Sequence, residues 1–455
     1  MTVDNDAMKR ADARFHLHPM TNPTEQVSRG PEMVSAAKGI RLTIDDRTVI
    51  DGLSGLGCVN IGYGNEEVSK AAYEAMRSLS YCHTFFGYSN GAAAELAQRL
   101  AKLTDHTFEK FFFASTGSDA NESAVKIAYH YWRLRGEPQR RMLLSRRHSY
   151  HGNTVVATSL TGIDHYLPQF GLPLPNLVAH ADSPYWYKYG KGKTPYEQGQ
   201  EAAASLERII EEVGANKIAA FFAEPMQATG GMIMPPEGYW NSVREICTRH
   251  DILLVADEVV TGFGKTGKMF GFQTLGFTPD MITLAKGLTS SYFPMSAVGI
   301  SSKINAVLSS ENHDFEHGFT NCGHPVGAAV ALANLRVIEQ NDLVAHVAQR
   351  LGPLVATRAA RLQKHPAVGD TRSLGVLAGI EFSVADSEEE NAAFCNLVIR
   401  AAYERGLFVR ASAATLHLVL PMITTVEDAG QCFDIIDAAI EEAYAARSNR
   451  ERSIA

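Results

Sequence analysis

The sequence has no run of eighteen apolar residues, which leaves no candidate for a membrane-spanning helix. Residues 1–16 are polar and lack an apolar core, so no signal peptide is expected. Cysteine is scarce: six in 455 residues, none in Cys-x-x-Cys spacing. That excludes a disulfide scaffold and points to reduced thiols and a cytoplasmic setting. Tracts of Lys and Arg are missing. The 50 acidic residues outnumber the 42 basic ones, for a net charge of −8, so nothing favours nucleic acid or an acidic membrane surface. No metal-ligand spacing stands out, because His148 and His151 lie three apart with no evident third ligand. There is no Gly-x-Ser-x-Gly elbow and no case for a Ser–His–Asp triad.

What is present is an ordinary globular composition, 45% apolar and 20% charged, with ample chain for a large core. Short apolar runs bounded by turn signals predict buried strands at Lys110–Phe113, Met142–Ser145, Ile218–Glu224, Ile252–Val255 and Met281–Leu284. Helical patterns over 64–103, Ala203–Val213 and Tyr239–His250 fall between or before them. Strands alternating with helices predict an α/β fold with a mostly parallel, doubly wound sheet. Beyond Gly323–Pro325 come long helices at Val326–Glu339 and 341–364. Strands are expected at Leu374–Phe382, Leu407–Val409 and Thr415–Leu420, with helices at 390–404 and 426–446 and a frayed end over 446–455. The expected division is an N-terminal segment 1–60 packing on the small domain or a partner subunit, a large domain 61–329 and a smaller α+β domain 330–455. Gly39–Asp51 reads as a hairpin turning at Asp45–Asp46.

The chemistry gathers in 251–291. One apolar run ends at Asp257–Glu258 and the other at Lys286. Ligands in parallel sheets sit beyond the carboxyl ends of the strands, so an Asp and a Lys face one crevice. Pyridoxal phosphate requires that pair, a lysine to hold it and an acid against its ring nitrogen. Gly117–Ser118 opens a helix after a strand, a seat for phosphate or a plain helix cap. Ser115, Thr116 and Asn121 add further groups able to donate to an anion. Tyr150–His151–Gly152 follows another strand, where an aromatic could stack on a flat ring or simply be half-buried. Glu224 ends a further strand, as base, ring-hydroxyl partner or cap. Gly262–Gly267 fits Gly-x-Gly-x-x-Gly, a dinucleotide fingerprint, but Asp257–Glu258 would face the pyrophosphate and no helix pattern starts within it. It is read as a glycine-rich turn at the site entrance.

Taken together, DGLSGLGCVNIGYG, STGSDANESAVKIA, HSYHGNT, AEPMQATGG, LLVADEVVTGFGKTG, ITLAKGLTSSYFPMSAV and GFTNCGHPVGAA resemble, in order and spacing, the motifs of class III aminotransferases. The similarity is to the omega-transaminase or amine:pyruvate branch and runs from about Asp51 to Thr425. It implies a fold-type-I enzyme that binds pyridoxal 5'-phosphate and moves an amino group from an amine donor to a keto-acid acceptor. Lys286 would hold the cofactor through a Schiff base and then carry the substrate proton; Asp257 would pair with the pyridinium nitrogen. Gly117 and Ser118 would seat the phosphate. Tyr150 and Val259 would cover the ring faces, with His151 and Gly152 beside Tyr150. Glu224 and Gln227 would lie on the hydroxyl side. Thr320 would reach the phosphate of the neighbouring subunit, which implies a homodimer with shared sites; a tetramer stays open. Arg410 would bind the keto-acid carboxylate.

Three departures bear on substrate. Asp119 stands where Glu is usual in the phosphate turn. Members that use glutamate or 2-oxoglutarate commonly carry a Glu two residues after the Gln of Glu-Pro-x-Gln, and here that residue is Thr229. The resemblance then favours pyruvate or another small keto acid. Many amine:pyruvate members place a large aromatic where this chain has Gly57, so the pocket should take a bulky or long amine, with Phe85 and Phe86 lining it. Other readings are an aminomutase, racemase or decarboxylase on the same fold, a nicotinamide-dependent oxidoreductase using 262–267, or a non-catalytic binder.

Overall fold

The computed structural model describes residues 5–310 and 312–454. Its centre is a seven-stranded sheet built from β1 (Lys110–Ala114), β2 (Met142–Arg146), β3 (Val178–Ala181), β4 (Ile218–Ala223), β5 (Leu253–Asp257), β6 (Met281–Leu284) and β7 (Ser296–Ile300). The order across the sheet is β1-β7-β6-β5-β4-β2-β3. β7 runs antiparallel to both neighbours, and the pairs among β6, β5, β4, β2 and β3 are parallel.

Side chains alternate across each strand, and here both faces are covered. Leu253 and Val255 of β5 pack with the apolar side of helix Gly117–Leu134, while Leu254 and Ala256 join the opposite core with Leu206, Tyr239 and Trp240. Trp132 of that helix also donates its indole N–H to Ala219 O at 2.8 Å, tying it to β4. Every residue of β4 and β5 is buried, which accounts for their unbroken apolar sequences.

A second sheet is formed by Val34–Lys38, Arg41–Ile44 and Arg47–Asp51, with Leu407–Phe408 added in parallel at its edge. The hairpin turns at Asp45–Asp46, where Asp45 has φ of 49°. A third, antiparallel sheet comprises Val368–Leu374, Leu377–Phe382, Thr415–Val419 and Arg410–Ser412.

Several expectations need correction. The helical stretch 64–103 is two helices, Glu66–Ser78 and Gly91–Leu103, because Gly87 and Phe86 take left-handed backbone between them. The strand expected at Leu374–Phe382 is a hairpin that begins at Val368 and turns at Gly375 (φ 58°). Where a frayed end is expected, helix Val426–Ile454 continues through 446–454, and residue 455 lies outside the described residues.

Candidate active site

The paired register of β5 and β6 sets the site. Asp257 is the Cα partner of Thr283, and Lys286 lies three residues further on, just past the end of β6. Both strands deliver an ionisable side chain to the same edge. Glu258 N–H donates to Thr283 O at 3.0 Å and extends the pairing past the strand end.

Asp257 is buried, at 4% exposure. Its Oδ2 accepts from Asn121 Nδ2 and from His151 Nδ1, both at 2.8 Å, and its Oδ1 accepts from Val259 N at 3.1 Å. His151 is fixed in turn by Ser145 Oγ at its other ring nitrogen, 3.1 Å away. A carboxylate buried this deeply needs such donors.

Lys286 has φ of 42°, a backbone conformation that L side chains rarely take. The turn is held from behind. Asn334, wholly buried on helix Pro325–Gln340, donates to Gly287 O at 2.8 Å and Leu288 O at 3.0 Å, while its Oδ1 accepts from Ser290 Oγ at 2.7 Å. Lys286 is half-buried. Surrounding protein lowers its amine's pKa below the usual lysine range, and Cys58, Asp257 and Glu224 oppose that shift.

Glu224 closes the side towards β4. Its Oε1 accepts from Tyr150 N and its Oε2 from Ala228 N, both at 3.0 Å. Burial pushes its carboxyl up to about 7. Gln227 has both polar ends engaged: Nε2 donates to Arg147 O and Oε1 accepts from Ser183 Oγ, each at 2.7 Å. Tyr150 is half-buried, with its hydroxyl accepting from Asn153 Nδ2 at 3.0 Å and its ring 5.7 Å from Tyr166. Burial raises its phenol to about 12.

At the start of helix Gly117–Leu134, Thr116 and Asp119 form a reciprocal capping box: Asp119 N donates to Thr116 Oγ1 at 3.1 Å and Thr116 N to Asp119 Oδ2 at 3.0 Å. Asp119 therefore fits the cap despite its shorter side chain. Gly117 and Ser118 sit at N1 and N2, where N–H groups lie outside the intrahelical ladder. The approach is tight. A Cβ on Gly117 would lie 3.1 Å from both Val259 methyls, and one on Gly152 (φ 128°) only 2.3 Å from Ser118 Oγ.

Pyridoxal phosphate needs an acid for its ring nitrogen, an amine for its carbonyl, an anion seat for its phosphate and a narrow slot for its ring. Asp257, Lys286, the helix start at Gly117–Ser118 and the glycines that only a missing Cβ permits meet these four needs. Asn121 Oδ1, buried and without a partner, adds an orphaned acceptor beside Asp257. The residues present fit the group.

Gly57 is buried, with φ of 69°. Thr229 is half-buried next to Gly230–Gly231, and Arg410 is exposed at the start of Arg410–Ser412. The Arg410 charge acts on the Tyr166 phenol, which places the arginine on the Tyr150 side of the crevice. Phe85, Phe86 and Thr320 form a separate group: Tyr81 donates its hydroxyl to Thr320 O at 2.9 Å, and a Cβ on Gly318 would strike Phe85 at 2.5 Å. Gly262–Gly267 is a run of turns, and the next helix begins only at Gly271, so no helix start faces it as a dinucleotide fingerprint requires.

Asn334 and the Asp257-binding role of Asn121 are not identified from the sequence. Asn121 lies one helical turn beyond Gly117 on the same face, a spacing that could have indicated it.

Residues 25–440 match the model of the class-III aminotransferase family. A putrescine–pyruvate aminotransferase of Pseudomonas aeruginosa is 36% identical over 437 residues, covering 95% of each chain. A diaminobutyrate–2-oxoglutarate transaminase of Halomonas elongata is 39% identical over 394 residues, covering 84% of this chain and 83% of the relative. Among solved structures, a thermostable omega-transaminase variant with tryptophan replaced by glycine, engineered for asymmetric synthesis of enantiopure bulky amines, superposes with a TM-score of 0.93. It is 33% identical and covers 96% of this chain and 99% of its own. The chain belongs to the class-III aminotransferases, fold-type-I enzymes that work with pyridoxal phosphate on an amine and a keto acid.

Proposed function

We propose that this class-III aminotransferase takes its amino group from a bulky or long primary amine and passes it to a small keto acid, pyruvate first, in a ping-pong cycle. The observation that carries the donor is Gly57. A Cβ there would meet nothing nearer than Val260 Cγ1 at 3.7 Å, so the buried wall at this point is open. The glycine-for-tryptophan relative engineered for bulky amines supports the same reading.

For the acceptor, Arg410 makes no ion pair among the described residues, and Thr229 offers no carboxylate to hold it. An exposed guanidinium suits the carboxylate of a keto acid. The putrescine relative's pyruvate supports this choice, and the Halomonas relative's 2-oxoglutarate is the acceptor to test against it.

When bound, pyridoxal phosphate supplies a ring that accepts the electron pair left as the donor carbon loses its proton. Lys286 would take that proton at Nζ and hand it to the cofactor side; the lowering of its amine's pKa by surrounding protein favours the free base this needs. Asn121 and His151 hold Asp257 with its charge against the ring nitrogen. Gly117 and Ser118 bind the phosphate at the positive end of their helix. Tyr150 and Val259 would cover the ring faces and exclude water, and Glu224 and Gln227 would stand at the hydroxyl edge. Thr320 serves the partner's phosphate, so the working unit is a homodimer.

The test is a panel of small and bulky amines with pyruvate or 2-oxoglutarate, reading alanine or glutamate formed. Wild type should favour pyruvate. Gly57→Trp should lower the bulky-to-small rate ratio by roughly tenfold or more, the scale of a filled apolar pocket. Gly57→Ala carries the same backbone strain and should keep the ratio. An unchanged ratio in Gly57→Trp removes Gly57 from the specificity argument; faster turnover with 2-oxoglutarate removes pyruvate.

A further inference from the structure

Helix Asn5–Phe15 ends in a short segment that folds two imidazoles back onto one carboxylate. Asp12 stands in the last turn, and His16 and His18 follow the helix on either side of Leu17. His16 Nδ1 lies 2.9 Å from Asp12 Oδ1, and His18 Nε2 lies 2.6 Å from Asp12 Oδ2. The two rings are 4.3 Å apart. All three ligand atoms fall within 4.8 Å of one another. A helix-ending His pair could serve only to balance Asp12 and the helix end. Convergence asks for more, because one imidazole is enough for that and here two fold back onto the same carboxylate.

Two neighbouring basic residues are turned away from the group. The closest lysine, Lys9, is turned to Asp45 at 2.7 Å, and Arg14 lies over Phe15 at 5.0 Å. Asp12 and His18 side chains are largely shielded, at 21% and 24% exposure, while His16 leaves the cluster open on one side. The hollow beside them, about 230 Å³, is also lined by Gln26, whose buried Nε2 has no partner. That unsatisfied amide is a second sign that a ligand belongs here. Turned over, it would present its carbonyl oxygen to the hollow.

We propose that Asp12, His16 and His18 form a binding site for a divalent transition-metal cation of the zinc type. Two imidazole nitrogens and one carboxylate oxygen are the donor set such ions take, with water or Gln26 completing four-coordination. Bound metal would clip the end of helix Asn5–Phe15 to the turn that follows. No residue placed in the aminotransferase site takes part, so the site acts on the N-terminal segment and leaves turnover alone.

The experiment uses the full chain loaded with its cofactor, with zinc ion as the probe and equilibrium dialysis as the readout. Wild type should bind one zinc per chain with micromolar affinity, and His16→Asn and His18→Asn should each weaken it at least about tenfold. Zinc should also slow tryptic cutting after Arg14 in wild type and not in the variants. Amine-to-pyruvate turnover should be equal in all three. Zinc held equally by both histidine variants is bound elsewhere, for example at the half-buried thiols of Cys58 or Cys82, and overturns the proposal. Absence of binding in wild type overturns it as well.

Discussion

At the residue scale, Lys265 carries the sharpest anomaly. It lies in the glycine-rich turn, is wholly buried, and its Nζ has no hydrogen-bond partner. Glu258, the nearest acid in sequence, gives its oxygens to the Thr261 hydroxyl and to the N–H groups of Gly271 and Phe272. Burial, with Lys286 adding repulsion, pushes the Lys265 amine down to about 7. The folded chain therefore sheds this proton through neutrality, while the unfolded chain keeps it to the ordinary lysine range. Between the two, the unfolded state binds more protons and stability rises with pH. Lys265→Met should then stabilise the protein by roughly 1–3 kcal/mol at pH below about 7, and the gain should shrink as pH rises towards 10. Thermal melts of both proteins across that range check it; a gain that is flat with pH would show that folding does not lower the Lys265 amine. The sequence places Asp257, Lys286, Tyr150 and Glu224 in one crevice, because each closes a legible apolar run. It does not reveal Lys265 as unpaired, since whether a lysine finds a counter-ion depends on packing from distant segments such as Gly375–Val376, whose backbone meets the Lys265 carbonyl.

At the element scale, the strand ends aim the chemistry and the helices behind them hold it. Helix Pro325–Gln340 does this through one side chain. Asn334 anchors the carbonyls of Gly287 and Leu288, which follow Lys286 in its left-handed turn. Asn334→Leu would keep the volume and leave two buried carbonyls unpaired, a loss on the order of 2–6 kcal/mol at about 1–3 kcal/mol for each. The turn would then relax, so turnover should fall further than stability accounts for at temperatures where the variant is fully folded. A variant that melts lower yet turns over at the wild-type rate would show that Asn334 serves packing alone. The same scale explains which elements the sequence discloses. β1, β2, β4, β5 and β6 are compact apolar runs. β7, Ser296–Ile300, is equally buried but sits directly after the turn at Ser290–Tyr292, so its apolar residues merge with the preceding motif. β3, with its sequence VAHA, is an edge strand whose His180 donates from Nε2 to Leu160 O at 3.1 Å, and such a strand lacks the apolar signal of a central one. Val34–Lys38 is exposed along its whole length and shows no alternation to read.

At the scale of the whole molecule, the chain leaves several large apolar side chains exposed. Phe86 is 91% exposed with φ of 58°, and Tyr73, Met76, Tyr81 and Tyr88 are exposed around it. Phe85 lines an adjoining cleft of about 1060 Å³ with Phe111–Phe113 and Gly318. Apolar patches of this kind mark surfaces that another chain covers. Phe85, Phe86 and Thr320, expected at the substrate and phosphate, gather here and not at Lys286, an arrangement that a second copy would resolve by bringing them to its partner's site. The prediction follows from that sharing. Lys286→Ala lacks the amine, and Thr320→Glu sets a negative charge against the phosphate; each should be nearly inactive alone. Mixed at equal amounts and allowed to exchange subunits, half of the dimers become hybrids. Each hybrid has one site with Lys286 from one chain and Thr320 from the other, so activity should return to about a quarter of wild type. Were Thr320 to serve the site of its own chain, neither hybrid site would be whole and mixing would restore nothing. The recovered fraction therefore decides whether the chain's active site is complete in one subunit or only in two.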